Sequence, residues 1–165
     1  MKKTIVLLIA IGLFCPRLFG QDPALFENDW FLHELVLNNE SITPPSNAEI
    51  SSVPLFFLPQ GDRLLTYVCA GLAGEPILFS SSENSFLVEE FFLTLVECGL
   101  QENGSFSSTY FIDFFSWQQA DKTFFYEITE EGVDHTLTLT NENGDLAIYG
   151  NEPPLNTDTF PLSSI

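Results

Sequence analysis

The chain has 165 residues, 45% of them hydrophobic and 14% aromatic, with 17 Phe and a net charge of −18. This content of large apolar side chains excludes a disordered protein and predicts a packed core. The acidic balance also makes nucleic acid an unfavourable partner, because a negative surface repels phosphate groups.

Residues 1–20 are typical of a secretory signal peptide. Two lysines precede an apolar stretch over 4–14, and the small Gly20 suits cleavage. The stretch is shorter than the roughly 20 apolar residues that span a bilayer, so we expect no transmembrane anchor. A lipid anchor on Cys15 is the alternative, although Phe14 stands where such anchors have a small residue. We expect a protein that is secreted, either periplasmic or extracellular.

The remaining sequence predicts a single domain over 21–150, followed by a loose tail over 151–165. After cleavage, Arg63 and Lys122 are the only Lys or Arg residues against 23 acidic residues, which leaves a net charge of −21. These acids are spread along the chain. They therefore favour solubility in a salty medium over a defined cation site.

Cys69 and Cys98 are the cysteines that remain after cleavage. In an oxidising compartment they predict a disulfide. Closing a loop of about 30 residues stabilises a fold by roughly 3–4 kcal/mol in the chain-entropy model. Two buried free thiols are the alternative.

Runs of strand-forming residues bounded by turn residues recur along the chain. They predict strands over 30–37, 53–58, 64–69, 77–79, 86–88, 124–129, 136–140 and 145–149, with a hairpin turn at 80–85. The glycine-bearing segment 70–74 suits a tight bend or the close approach of a neighbouring backbone. The dense apolar run 91–96 lacks alternation, which is typical of a strand that is covered on both faces and here ends at Cys98.

Two of these strands carry detailed predictions. In the first strand, alternation places Trp30, Leu32 and Val36 on one face, opposite Leu35 and Leu37. In the last hairpin, Asn143-Gly144 indicates a two-residue loop. That loop pairs Leu139 with Ile148, and it gives one apolar face made of Leu137, Leu139, Leu146 and Ile148.

A second aromatic run predicts an amphipathic helix over about 104–117. At about 100° per residue its aromatic side chains share one face, formed by Phe106, Tyr110, Phe114 and Trp117. Ile112 does not fit, because it lies among Ser, Thr and Asp on the other face. The fold class is therefore α+β and mainly antiparallel β, a small barrel or strongly curved sheet with one packed helix.

The sequence offers only weak support for a catalytic site or a metal site. His33 and His135 each stand beside an acid, but the spacing of a multi-ligand metal site is missing. The segment 141–145 partly matches a calcium loop and lacks its terminal Glu, so a plain turn is favoured. The chain has no phosphate-binding glycine loop and no nucleophile motif. We predict no catalytic residue, no cofactor and no metal ligand.

Several short motifs resemble the META domain family of small bacterial secreted and envelope proteins. They are Trp30-x-Leu32, Cys69 followed by glycines, Thr94 four residues before Cys98, Glu102 with Phe106, Leu137-Thr138-Leu139, and Asn143-Gly144-Asp145. The resemblance covers about 28–150, and Ala70 departs from the Asn that usually follows the cysteine. It implies a compact β-rich fold with a helix packed on the sheet, lipocalin-like in outline. It implies no established enzymatic chemistry and carries no catalytic residues.

Three functions remain open at this point. The first is a non-enzymatic secreted domain with a binding or protective role, whose partner is a small apolar ligand or another envelope protein. The second is a carrier that holds a small apolar ligand inside the barrel, although small barrels usually fill their own interior. The third is an extracellular hydrolase or inhibitor with a site that motifs do not reveal.

Overall fold

The computed structural model describes residues 22–58 and 62–155. The predicted signal peptide and most of the predicted tail lie outside these ranges. The strands are β1 (Trp30–Leu37), β2 (Glu40–Ile42), β3 (Pro54–Leu58), β4 (Arg63–Tyr67), β5 (Gly71–Phe79), β6 (Ser85–Leu93), β7 (Lys122–Glu131), β8 (Asp134–Thr140) and β9 (Leu146–Gly150). The helices are α1 (Ala24–Glu27) and α2 (Gln101–Ser108), and α2 continues as a π-helix, Thr109–Phe114. We call α2 and its continuation the α2–π helix.

Eight antiparallel strands close into a barrel, which confirms the predicted fold class. The order is β1-β3-β4-β5-β6-β7-β8-β9, and β9 pairs back onto β1. The short β2 extends β1 as a hairpin. A barrel of eight strands has an interior just wide enough for side chains to fill it, so the core of this protein lies inside the barrel.

The bend predicted for residues 70–74 lies at residues 68–70, where Val68 N–H donates to Ala70 O at 3.1 Å. β5 then runs without interruption from Gly71 to Phe79. The expected close approach does occur there, but to side chains. A Cβ on Gly74 would lie 2.7 Å from Val88 Cγ1 and 2.8 Å from Phe91 Cε1. The hairpin turn at 80–85 is confirmed, with Phe79 paired to Phe86.

The prediction of a doubly covered strand over 91–96 was wrong. β6 ends at Leu93, and the side chain of Phe91 faces the core while Phe92 is 50% exposed. Beyond β6, Leu95 is 96% exposed and Val96 56% exposed. The loss of alternation in this run therefore reflects exposed apolar residues after the strand, and not coverage of both faces.

A β-bulge in β1 corrects the predicted faces of the first strand. The pairing of β1 with β9 shifts between Leu32 and Glu34, so one extra residue, His33, separates the two halves of the strand. Leu35 and Leu37 are consequently buried together with Trp30 and Leu32. Strict alternation places them on the opposite face because it takes no account of the extra residue.

The loop between β8 and β9 also differs from the prediction by one residue. The backbone N–H of Gly144 donates to Asn141 O at 3.0 Å, and Gly144 has φ 85°. This is a three-residue loop with glycine in the left-handed position. Leu139 therefore pairs with Ala147, and the buried partners on β9 are Ala147 and Tyr149 in place of Leu146 and Ile148.

The α2–π helix packs its aromatic face into the barrel, as predicted. It begins at Gln101, a few residues before the predicted start, and Trp117 lies beyond its end. Phe106, Tyr110 and Phe114 are buried, with ring centroids 5.9 and 6.3 Å apart in succession. In the π-helix, Phe115 N–H donates to Tyr110 O, which brings the rings of these two residues within 5.1 Å.

Within the described residues no helix is both long and apolar enough to cross a bilayer. The start of the predicted tail is attached to the barrel, because Asn151 accepts the backbone N–H of His135 through its side chain. His33 Nε2 lies 2.8 Å from Glu152 O.

Candidate functional site

The interior of the barrel is occupied by aromatic side chains. Ring contacts of 5.5 to 6.3 Å connect one end of the interior to the other, through Phe26, Phe57, Phe86, Phe124, Phe114 and Tyr110. This sequence of contacts begins on α1 and ends on the α2–π helix. A carrier that holds its ligand in the lumen would have to displace part of this packing.

Tyr110 joins the helix to two walls of the barrel by hydrogen bonds. Its hydroxyl lies 3.2 Å from Thr66 Oγ1 on β4 and 2.8 Å from Tyr149 Oη on β9, and all three residues are fully buried. Burial raises the pKa of both tyrosines above its ordinary value. The two phenols therefore stay protonated at neutral pH, and this cluster holds the helix in place instead of supplying a nucleophile or a base.

A recess of about 710 Å³ opens on the outside of the barrel, between the α2–π helix and the chain that follows β6. We call it the groove, and we call residues 94–98 the rim segment. The rim segment forms one wall of the groove. The other wall is formed by the outer face of the helix, with Phe111 and Ile112 among its lining side chains, and by Trp117, three residues beyond the end of the helix.

The rim segment is fixed at both ends. At its start, Thr94 Oγ1 accepts the backbone N–H of Gly71 at 2.7 Å, and Thr94 N–H donates to Gly71 O at 2.9 Å. At its end, Cys98 forms the predicted disulfide with Cys69, with the two Cα atoms 5.3 Å apart. Only three residues separate these anchors, so the exposed side chains of Leu95 and Val96 are held on a short, constrained piece of backbone.

The helix wall is positioned by a carboxylate from a distant loop. Glu49, between β2 and β3, accepts the backbone N–H groups of Gly99 at 2.6 Å and Leu100 at 3.1 Å. Its Oε2 also accepts from Asn103 Nδ2. These bonds, first of all the one from Gly99, lower the pKa of Glu49. A carboxylate is well placed here, because the first N–H groups of a helix have no partner within the helix.

Asn47 completes this anchor. Its Nδ2 donates to Asn103 Oδ1 at 2.9 Å and to Glu102 Oε1 at 3.1 Å, while its Oδ1 accepts the backbone N–H of Ile50. Asn103 is fully buried, so its amide needs the partners that this loop provides. A second recess, of about 490 Å³, lies next to this anchor on the other side of α2.

The groove is apolar, but its surroundings are acidic. Ile112 is 46% exposed, and Glu97 is an exposed member of the lining. Glu90 and Asp113 are also exposed and stand next to the two walls in the sequence. The described bases are both in ion pairs, Arg63 with Glu75 at 3.1 Å and Lys122 with Glu142 at 3.0 Å.

The residues considered as candidate ligands in the sequence do not come together. His33 lies at the bulge of β1, whereas His135 lies on β8 within 3.8 Å of Glu130. Within the described residues, no group of three His, Cys, Asp or Glu side chains is placed to hold a metal ion. In the turn 141–145, Asn141 Oδ1 accepts the backbone N–H groups of Asn143 and Asp145. Its Nδ2 donates to Phe114 O, which ties the turn to the end of the helix.

Sequence reasoning missed both walls of the groove, although it contained a signal for each. Ile112 was the apolar residue that did not fit the polar face of the helix. Leu95 and Val96 belonged to the run without alternation, which was interpreted as buried. The anchor formed by Asn47, Glu49 and Asn103 left no local signal, since Asn103 is more than 50 residues from the other two in the chain.

Searches against known protein families, characterised proteins and solved structures gave no match to this chain. The function therefore has to be argued from the geometry of the molecule itself.

Proposed function

We propose that this protein is a secreted, non-enzymatic binding domain of the META type, and that it binds its ligand or partner in the groove. The observation that carries this proposal is the exposure of Leu95, Val96 and Ile112 around one constrained recess. Clustered apolar side chains at a surface recess are typical of interaction sites, because leaving them in water is unfavourable.

Several features support a binding role. The disulfide is compatible with an oxidising compartment and hence with secretion. The Thr94 and Cys98 motif, one of those that resemble META domains, anchors the rim segment. The polar members of the described lining are Thr94, Glu97, Ser107 and Ser108. None of these is a histidine or a cationic residue that would activate a serine nucleophile, which disfavours a hydrolase.

The barrel fold is compatible with ligand carrying, but the groove is the better site for the ligand. A ligand in the lumen would compete with Tyr110 and its neighbours for the same space. A ligand in the groove needs no such rearrangement, since the groove is already open. A preformed site of this kind lowers the free energy cost of binding.

The proposal is tested with Nile red, an uncharged apolar dye whose emission rises in an apolar site. We expect saturable binding to the secreted protein, and we expect Leu95→Ser and Ile112→Ser each to weaken it about tenfold, as the loss of a buried aliphatic contact implies. Val133→Ser is the matched control, because Val133 is 82% exposed in the turn between β7 and β8. It should leave dye binding unchanged.

Trp117 gives an independent signal. The described tryptophans are Trp30, which is fully buried, and Trp117, which lines the groove. Dye bound in the groove should accept excitation energy from Trp117, so Trp117→Phe should reduce the energy transfer. Binding that is insensitive to all groove variants but is weakened by Tyr110→Phe would place the ligand in the lumen and contradict the proposal.

A further inference from the structure

We propose that the occupant of the groove is an extended polypeptide segment with alternating apolar and basic side chains, which adds as a strand to the open edge formed by the end of β6 and the start of the rim segment. This inference rests on the proposed function, since it names the partner class and the binding mode for the same groove. It is supported by the backbone of the rim segment, by the shape of the groove and by charge.

The first observation is a gap between two neighbouring strands. β6 pairs with β7 only over residues 85–88, whereas it pairs with β5 as far as Leu93. The chain then continues past β6 into the rim segment, with Thr94 N–H bonded to Gly71 O on the β5 side. From residue 90 to Thr94, β7 is therefore absent from the far edge of this stretch, which ends where Val96 N–H turns back to Thr94 O at 3.1 Å.

The second observation is the direction of the rim backbone groups. N–H groups alternate between the two edges of a strand, so the bond from Thr94 towards β5 turns the N–H groups of Leu93 and Leu95 towards the edge that β7 leaves open. Among the residues that the structure describes, the backbone N–H groups of Leu95 and Glu97 have no hydrogen-bond partner. An extended partner can pair with such an open edge through its own backbone.

The third observation is the opposite wall. An added strand would lie between the rim segment and the helix, where Phe111, Ile112 and Trp117 line the groove. Successive side chains of a strand point to opposite sides. One set of the partner's side chains would therefore face this apolar wall while the alternate set faces outward. Apolar residues suit the first set.

The charge around the groove indicates which residues suit the partner's outward-facing positions. Glu97 lines the groove, the exposed Asp113 follows the lining residue Ile112 in the sequence, and the domain as a whole is strongly acidic. Lys or Arg at the outward positions would be attracted by this field. A second copy of the chain fits poorly, because the described bases, Arg63 and Lys122, are already paired with its own acids.

The test uses fluorescein-labelled peptides of eight residues and the secreted protein, followed by fluorescence anisotropy at about 50 mM salt. The first peptide alternates Val and Lys. The second replaces each Lys with Glu, and the third keeps the first sequence but carries N-methyl groups on every second amide. A Leu/Lys peptide designed as an amphipathic helix is the fourth. We expect saturable binding of the first peptide, and at least about tenfold weaker binding of the other three.

Variants locate the binding. Leu95→Ser and Ile112→Ser should each weaken binding of the Val/Lys peptide about tenfold, whereas Val133→Ser should not change it. Raising the salt to about 500 mM should weaken binding, because the attraction between Lys and the acidic rim is screened. Amide hydrogen exchange at Leu95 and Glu97 should slow when the peptide is bound.

Each contrary outcome has a definite meaning. Equal binding of the N-methylated peptide would overturn strand addition, and equal binding of the Glu peptide would overturn the selection for basic residues. Tighter binding of the helical peptide would assign the groove to a helix.

Other outcomes separate this inference from the proposed function. If Nile red still binds in the groove while no peptide binds, the partner inference fails and the proposed function stands. If Leu95→Ser affects neither probe, both fail. A dimer in sedimentation that Leu95→Ser abolishes would assign the groove to a second copy and overturn the inference.

Discussion

The two faces of the α2–π helix lie in opposite environments. The inner face presents Phe106, Tyr110 and Phe114 to the barrel, where all three are buried and Tyr110 is hydrogen-bonded to two strands. The outer face presents Ile112 to the groove, opposite an exposed Leu95. Both faces carry large apolar side chains, but only the inner one is covered by the rest of the chain.

This difference separates stability from function. Side chains on the inner face bury their full surface against other groups of the same chain, so removing one of them costs free energy of folding. Ile112 on the outer face contributes less to folding, because its side chain is 46% exposed to water in the free protein. Substitutions on the two faces should therefore have opposite effects in assays of unfolding and of binding.

The largest expected effect comes from Phe114→Ala on the inner face. Phe114 is 1% exposed, and its ring lies 5.1 Å from that of Phe115 and 5.9 Å from that of Phe124. Its removal should lower the free energy of unfolding by about 3–5 kcal/mol, as for other buried phenylalanines. Ile112→Ala on the outer face is the control and should change it by less than about 0.5 kcal/mol. Urea denaturation measures both. Equal effects would contradict the separation of the two faces.

The next effect is that of the disulfide, which anchors the groove to the barrel. The double substitution Cys69→Ser with Cys98→Ser should lower the free energy of unfolding by about 3–4 kcal/mol in the chain-entropy model. It should also weaken Nile red binding, since the rim segment loses one of its two anchors. Thiol counting on the denatured protein checks the bond directly. Two free thiols in that assay would refute the disulfide, and unchanged dye binding by the variant would refute its role in the groove.

A smaller effect is expected from Tyr110→Phe, which keeps the ring and removes the hydroxyl. Thr66 and Tyr149 would each lose a hydrogen-bond partner inside the barrel. The loss should cost about 1–3 kcal/mol, the usual range for buried polar groups left unpaired. Tyr67→Phe is the matched control, because Tyr67 is 41% exposed on β4 and should tolerate the change. Thermal unfolding of the two variants gives the comparison, and equal shifts in Tm would contradict it.

The smallest effect concerns Glu49, which holds the start of the helix wall. Its pKa in the folded protein is lowered from the ordinary value of 4.5. The contribution of its carboxylate to stability is therefore complete above about pH 4.5 and is lost as the pH falls through the lower folded-state pKa. Glu49→Gln should reduce the loss in the free energy of unfolding as the pH falls into the acidic range. Glu127→Gln, at an exposed position on β7, is the control and should leave that loss unchanged. A profile unchanged by Glu49→Gln would contradict this role.

The fold was predictable where local patterns decide it. Alternation located most of the strands, and four-residue spacing identified Phe106, Tyr110 and Phe114 as the inner face of a helix. The cysteine count, with the expected compartment, predicted the disulfide. These features depend on short-range periodicity or on simple chemistry, which a sequence displays directly.

The bulge in β1, the register of β8 with β9 and the groove could not be predicted from the sequence, for physical reasons. One extra residue at His33 reversed the faces of half of β1, and a loop longer by one residue shifted the register of β8 and β9. Neither insertion changes the composition of its strand. The groove was hidden because an apolar residue that is exposed at a surface recess looks the same in a sequence as one that fills a core. Leu95 therefore looked buried, and Ile112 looked like an exception.

The most direct test of the central claim is a two-dimensional ¹⁵N NMR titration of the protein with Nile red. The account predicts that backbone shifts change in the rim segment and in residues 107–117, while Thr66, Leu139 and Tyr149 in the barrel stay unchanged. Changes concentrated at Thr66, Leu139 and Tyr149, with an unaffected rim segment, would show that the ligand enters the barrel and would contradict the account.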